Sequence, residues 1–160
     1  MSGIDPRDLR DACGSFATGV TVISTRTADG DHGMTANAFM SVSLDPPLIT
    51  VSLDHKCRLR GKIRDSGRYA VSVLSETMTG LALHFAGRPD PAHAAPSEPF
   101  EPCDGLPVVR GAACIFLAEV AQEVEAGDHT LFIGRVTRIA RDPQARPLLF
   151  AAGRFGALAG

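Results

Sequence analysis

The sequence contains no tryptophan and only one tyrosine, and no run of it is apolar for long enough to span a bilayer. Neither sign of charge dominates, because 16 lysine and arginine residues are balanced by 18 aspartate and glutamate residues, for a formal net charge of −2. Such a chain creates no field that gathers nucleic acid or anionic lipid. We therefore expect neither nucleic acid nor a membrane among its partners.

The cysteines and histidines lack the spacing of a metal site or a redox pair. No C-x-x-C pair occurs, and four of the histidines have no paired ligand spacing with carboxylates or cysteines. Residues 1–11 alternate acidic and basic side chains, unlike the basic head and apolar core of a signal peptide. We predict free thiols at four positions, no bound metal and a cytoplasmic location; the thiols are Cys13, Cys57, Cys103 and Cys114.

The composition is that of an ordinary globular protein, with 160 residues of which 44% are apolar. We expect one domain over residues 1–160. Asp5-Pro6 predicts the start of a helix that ends near Thr18-Gly19. Leu59 and Ile63 predict one face of a second helix, and Ser75 is expected to cap a third.

Apolar runs rich in β-branched residues predict strands at residues 20–25, 48–53, 69–74, 113–120 and 130–139. The short turns at residues 28–31 and 125–129 predict antiparallel pairs, and residues 87–105 read as a long surface loop. No G-x-G-x-x-G motif or regular strand-helix alternation is present. The pattern favours a mainly β fold with a few helices, an antiparallel barrel, over a doubly wound sheet.

Small residues dominate the segment from Gly33 to Pro47. Hydroxyl and amide groups come from Thr35, Asn37, Ser41 and Ser43, while Ala36 and Ala38 allow a flat ligand to approach the backbone. A flavin ring suits such a wall because its pyrimidine edge needs several donors and acceptors. The alternative from these residues alone is a strand with a structured exit turn at Pro46-Pro47.

The same segment resembles the G-x-T-A-N-A-F-x-S-V-S-x-x-P-P motif of the short-chain flavin reductase family, the reductase components of two-component flavin monooxygenases. Further similar segments follow the family's order and cover nearly the whole chain. They are residues 16–23 (FATGVTVI), Phe85-Ala86, residues 127–134 (GDHTLFIG), residues 147–150 (PLLF) and residues 153–155 (GRF).

The resemblance implies an FMN-binding split β-barrel, a homodimer, and transfer of a hydride from NADH or NADPH to FMN or FAD. Reduced flavin would pass to a separate monooxygenase. It also implies which residues bind the flavin: along the ring and ribityl chain Thr35, Ala36, Asn37, Ala38, Ser41, Val42 and Ser43; near the phosphate Asp54, Lys56, Cys57, Arg58 and Leu59; near the ring or nicotinamide Phe85 and Phe155.

The predicted phosphate loop departs from the family pattern, which has small hydroxyl residues where this chain has His55-Lys56-Cys57-Arg58. Lys56 and Arg58 stand just before a predicted helix, where free N–H groups favour an anion. The alternative is that the basic residues form only a solvated helix face, an interpretation that we favour for Arg60 and Arg64.

His129 is the candidate catalytic residue. It follows Gly127-Asp128 at a corner between a loop and a strand, where a side chain can project into a cleft, and the resemblance places it beside the nicotinamide. The residues alone would favour a histidine bonded to its own turn. Two other functions stay open: a flavin-binding carrier or sensor without catalysis, and a flavoenzyme that retains FMN and acts on another small molecule.

Overall fold

The computed structural model describes residues 3–160, which form three helices and twelve strands. The helices are α1 (Pro6–Gly14), α2 (Arg58–Ser66) and α3 (Thr79–Phe85). The strands are β1 (Thr18–Gly19), β2 (Thr21–Thr27), β3 (Gly30–Ala36), β4 (Phe39–Leu44), β5 (Pro47–Asp54), β6 (Arg68–Val73), β7 (Phe100–Cys103), β8 (Leu106–Val109), β9 (Cys114–Ala126), β10 (His129–Arg141), β11 (Leu148–Ala151) and β12 (Arg154–Ala157).

Seven strands form an antiparallel sheet in the order β3-β2-β6-β9-β10-β5-β4. Its two edge strands are consecutive in the chain, and only Asn37 and Ala38 lie between them. A flat sheet of this size would hold its edges about 29 Å apart, whereas the backbone from Ala36 to Phe39 spans at most about 11 Å. The sheet must therefore curl until its edges meet at this link.

The curled sheet is a barrel that stays open along one line. Within residues 3–160, no hydrogen-bonded ladder joins β3 to β4. We call residues 35–43, where β3 ends and β4 begins, the seam. The predicted mainly β split barrel is confirmed.

The barrel interior is filled by side chains that alternate along the strands, and α2 adds Leu59 and Ile63 to the same cluster. Tyr69 is fully buried there, and its hydroxyl donates to the carbonyl of Phe132 at 2.9 Å. Gly134 leaves room for that ring, because a β-carbon at this position would lie 2.5 Å from Tyr69 Oη. The barrel interior therefore has no room for a larger side chain at position 134.

A second apolar cluster lies on the other face of β2. Ile23 belongs to the barrel interior, whereas Val20 and Val22 pack with Leu81 of α3 and Leu148 of β11. Both faces of β2 are therefore covered, which explains why this strand reads as a continuous apolar run. Ala82 of the second cluster accepts a hydrogen bond from Thr35 at the start of the seam.

Three sequence predictions of local structure were wrong. The first helix ends at Gly14 because the chain turns at Ser15 to pair β1 with β11. Ser75 caps no helix, since its backbone bridges to Pro147 and α3 starts only at Thr79. The predicted loop over residues 87–105 contains β7, which pairs with β8 through the Asp104-Gly105 turn.

The predicted hairpins β2–β3 and β9–β10 and the helix α2 are confirmed, and all four cysteines are free. The turn between β4 and β5 contains a cis peptide bond between Asp45 and Pro46. Among the helices of residues 3–160, none is long and apolar enough to cross a membrane.

Candidate functional site

The seam presents backbone as much as side chains. Asn37 and Ala38 are exposed, and the Ala38 carbonyl accepts from the Ser52 N–H at 3.1 Å. The side chain of Ala36 packs against the barrel interior, so this residue can offer a ligand only its backbone. The hydroxyl of Thr35 donates to the Ala82 carbonyl at 2.6 Å. The Thr35 oxygen can therefore still accept a hydrogen bond from a ligand but has no proton left to donate.

A β-bulge interrupts β4 within the seam. Ser41 pairs with Ile49 and Ser43 pairs with Leu48, so Val42 is the extra residue and has no partner on β5. Ser41 and Val42 are exposed, while Ser43 is half-buried. A bulge leaves backbone groups unpaired and is common beside binding sites. The predicted Ser41–Ser43 contacts therefore lie where main-chain donors and acceptors are available.

Two neighbouring cavities open at the seam. One, of about 290 Å³, is lined by Val20, Thr35, Asn37, Leu83, Ala86, Arg88, Phe150, Gly153 and Phe155. The other, of about 590 Å³, shares Asn37, Phe150 and Gly153 and extends towards α1. Sequence reasoning placed Thr35, Asn37 and Phe155 here but missed Phe150 and Arg88. Residues 147–150 and 153–155 were noted only for their similarity to the family's C-terminal segment, and the hairpin that they form, β11–β12, brings Phe150 to the cavities.

Phe85 lies in a different cavity from Phe155. It packs on Phe100, with ring centroids 5.0 Å apart, over a glycine whose added β-carbon would lie 2.7 Å from the Phe100 ring. This third cavity, of about 470 Å³, is lined by Asp31, His32, Gly33, Met34, Cys57, Arg58, Leu59, Lys62, Phe85 and Phe100. The structure thus groups Phe85 with the predicted phosphate loop.

The predicted phosphate loop is a tight turn between β5 and α2. The Asp54 carboxylate accepts from the Lys56 N–H at 2.7 Å, and the Asp54 carbonyl accepts from the Cys57 N–H at 3.0 Å. Cys57 is the N-cap of α2, but its thiol contacts Met34 Sδ at 3.2 Å and makes no capping bond. Leu59 is buried in the barrel interior, so only its backbone can reach a ligand.

The basic residues around α2 fall into two groups. Arg60 donates to Thr130 Oγ1 at 2.7 Å, Lys62 pairs with Asp29 at 2.6 Å, and Arg64 pairs with Glu123 at 2.9 Å. The other two, Lys56 and Arg58, have no ion pair with any residue between positions 3 and 160. Carboxylates therefore pair with Lys62 and Arg64 in the later turns of the helix, while Lys56 and Arg58 at its start stay available to an anion.

His129 begins β10, directly opposite Asp54 in the ladder with β5. Its Nδ1 lies 2.7 Å from Asp128 Oδ1, while the His55 N–H donates to the Asp128 carbonyl at 2.9 Å. The hydrogen bond from His129, and then its charge, lower the pKa of the Asp128 carboxyl. The histidine corner and the phosphate loop are one hydrogen-bonded unit.

One ligand atom from each of Asp54, Asp128 and His129 falls within 4.8 Å of the others. Sequence spacing did not reveal this group, because two strands bring its members together. Exposed acidic groups often gather without an ion, and the absence of a metal stays a prediction.

Comparison with known proteins agrees with this geometry. The family model for the flavin reductase like domain matches residues 13–159. An NADH-dependent flavin reductase from Rhodococcus sp is 41% identical over 158 residues, covering 97% of this chain and 88% of that protein. The solved structure of flavin reductase PheA2 has a TM-score of 0.91 at 46% identity, covering 98% of this chain and 100% of the other.

A further solved structure is the styrene monooxygenase flavin reductase from Pseudomonas putida S12. It has a TM-score of 0.82 at 39% identity, covering 94% of this chain and 97% of the other. The extent of the family match, over a barrel whose seam carries the motif residues, leaves one conclusion: the chain belongs to the flavin reductase like family.

Proposed function

We propose that this chain transfers a hydride from a reduced nicotinamide to FMN or FAD and hands the reduced flavin to a separate monooxygenase. The observation that carries the proposal is the position of Lys56 and Arg58, which have no ion pair within residues 3–160. Arg58 lines a cavity together with Met34, next to a seam with unpaired backbone groups. That arrangement suits a ligand with a polar planar ring and an anionic tail.

The seam fits the ring portion of a flavin. Backbone groups at the Val42 bulge and the exposed Asn37 side chain offer donors and acceptors, and the small side chains of residues 36 and 38 permit close approach. The phosphate end fits the α2 N-terminus, where Lys56, Arg58 and free N–H groups stabilise negative charge. When bound, the flavin supplies the hydride acceptor, and the protein aligns the reactants.

His129 lies within reach of a nicotinamide stacked on such a ring. Ala38 bonds to Ser52, which pairs with Leu131, two residues along β10 from His129. Two strand-to-strand spacings across the sheet, combined with two residues along β10, put the Ala38 and His129 α-carbons about 12 Å apart. That is the scale of a fused three-ring system, so the imidazole can orient the carboxamide of a nicotinamide at the ring's far side.

The nicotinamide and the receiving enzyme are inferred from relatives. The Rhodococcus protein is named for NADH, which supports NADH as the donor here. The Pseudomonas protein is named as the reductase of a styrene monooxygenase, which supports a monooxygenase as the consumer of reduced flavin.

Exposed apolar side chains support a homodimer. Helix α1 buries none of its residues, and Phe16 just beyond it is 80% exposed. Met40, Val42 and Leu44 on β4 are also exposed. Such patches are typical of surfaces that a second subunit covers. Light scattering on the purified chain is expected to give twice the monomer mass.

The deciding experiment crosses NADH and NADPH with FMN, FAD and riboflavin in a steady-state assay. We expect nicotinamide oxidation with at least one flavin and release of reduced flavin. Oxidation of neither nicotinamide with any flavin would contradict the proposal. Flavin retained through purification without turnover would instead support the carrier or sensor function.

The cation assignment has its own test. Lys56→Ala combined with Arg58→Ala is expected to raise the KM for FMN about tenfold while the KM for riboflavin, which has no phosphate, stays unchanged. Arg64→Ala is the matched control, because that arginine is already paired with Glu123. An equal rise in the KM for FMN and for riboflavin would mean that Lys56 and Arg58 do not bind the phosphate.

A further inference from the structure

The two-residue turn that carries Asp128 does not depend on the Asp128 side chain. Gly127 has φ +61° and Asp128 has no positive φ, which is the pattern of a type II′ hairpin turn with glycine at its first central position. The backbone is further held by the His55 N–H, which donates to the Asp128 carbonyl. Neither the turn conformation nor this backbone hydrogen bond involves the Asp128 carboxylate, and the Asp128 side chain is 86% exposed.

Within residues 3–160, the Asp128 carboxylate has one hydrogen-bonded side-chain partner, His129, whose Nδ1 lies 2.7 Å from Asp128 Oδ1. A carboxylate only accepts hydrogen bonds, so a bond of this length requires the proton on Nδ1. An exposed aspartate is ionised at neutral pH, and the hydrogen bond from His129 lowers the pKa of Asp128 further. Within residues 3–160, the nearby Asp54 carboxylate makes its hydrogen bond to the Lys56 N–H and none to His129.

We propose that Asp128 is the positioning residue of His129: its carboxylate holds the proton on Nδ1 and turns Nε2 towards the nicotinamide. An imidazole whose tautomer and ring plane are set by a carboxylate presents a single defined nitrogen to its ligand. This inference rests on the proposed function, since His129 is assigned to the nicotinamide there. It adds a residue that touches neither the flavin nor the nicotinamide.

The kinetic test compares Asp128→Ala with Asp128→Asn. Alanine removes the acceptor, and kcat/KM for NADH is expected to fall about tenfold, similar to losing the orienting partner of a histidine at a metal site. Asparagine keeps an oxygen that can accept from Nδ1–H, so it is expected to stay within about threefold of the parent. The KM for flavin should be unchanged in both variants.

Asp90→Ala is the matched control. Asp90 lies 3.0 Å from the Nδ1 of His93, an exposed pair of the same kind outside the seam. This variant is expected to keep the parent kcat/KM for NADH. An Asp128→Asn variant as impaired as Asp128→Ala would overturn the hydrogen-bond role.

A double-mutant cycle separates positioning from a general structural effect. Because Asp128 acts through His129, Asp128→Ala should cost nothing further in a His129→Ala background. An undiminished tenfold loss in that background would overturn the proposal.

A readout that needs no turnover distinguishes failure of this inference from failure of the proposed function. Nitrogen-15 correlation spectra of the histidine rings, recorded about two pH units above the ordinary imidazole pKa, report which nitrogen carries the proton. The parent is expected to show His129 with the proton on Nδ1, and Asp128→Ala should shift it towards the Nε2 form. An identical His129 signal in both proteins would refute the positioning role even if flavin reduction occurs.

Discussion

The barrel interior and the seam are built from the same sheet but satisfy opposite requirements. In the interior, Tyr69 is fully buried and bonds to the Phe132 carbonyl, and Gly134 has no room for one more carbon. At the seam, Asn37 and Ala38 are exposed and Val42 lacks a strand partner. The comparison teaches that the sheet offers a binding site where it fails to close.

A substitution in the interior is expected to have the largest effect on folding. Gly134→Ala would place a β-carbon 2.5 Å from Tyr69 Oη and 2.8 Å from the Ala118 β-carbon. We expect the free energy of unfolding to fall by about 3 kcal/mol, measured by urea denaturation. Gly61→Ala is the control, because nothing lies within 4 Å of its added carbon and α2 should gain up to about 1 kcal/mol. Equal stability of the two variants would contradict the tight packing.

A smaller loss is expected from Tyr69→Phe. The ring stays in place, but the Phe132 carbonyl loses its hydrogen bond from a fully buried hydroxyl. The free energy of unfolding should fall by about 1–2 kcal/mol in the same denaturation experiment. Unchanged stability would mean that the hydroxyl is not paired in solution.

At the seam, a substitution is expected to change ligand binding and to leave stability nearly unchanged. Asn37→Ala removes an exposed amide that lines both cavities, so flavin affinity should fall about tenfold. The free energy of unfolding should change by less than about 0.5 kcal/mol. Fluorescence titration with FMN and FAD measures the first quantity. Gln144→Ala, an exposed amide in the turn before β11, should change neither. A large loss of stability in Asn37→Ala would remove the distinction between the two regions.

The smallest effect concerns thiol modification. Burial raises the pKa of the Cys114 thiol at the start of β9, so its alkylation at pH 8 should be slow with or without flavin. Cys57 lines the cavity beside the phosphate loop, and saturating FMN should slow its alkylation a few-fold. Peptide mapping by mass spectrometry reads both rates. Protection of Cys114 but not of Cys57 by FMN would contradict the placement of the flavin phosphate beside Cys57.

Local patterns gave much of the fold and part of the candidate site. Period-two alternation predicted the central strands, and Leu59 and Ile63 predicted the buried face of α2. The β7–β8 hairpin was missed although Asp104-Gly105 is a typical hairpin turn, because prolines nearby suggested a loop. At the site, the family motif pointed to residues 35–43 but could not show that Thr35 already donates to Ala82.

The sequence by itself determined the five central strands β2, β5, β6, β9 and β10, where the small-residue wall lies and which corner carries His129. Alternation and turn residues reveal these features because they act over a few positions. Only the tertiary structure decided that β3 and β4 meet as the edges of one curled sheet and that Phe85 and Phe155 line different cavities. It also decided which cations stay free: Arg60 bonds to Thr130, 70 positions along the chain. Spacing within a segment carries no information about such distant partners, since the packing of the whole barrel chooses them.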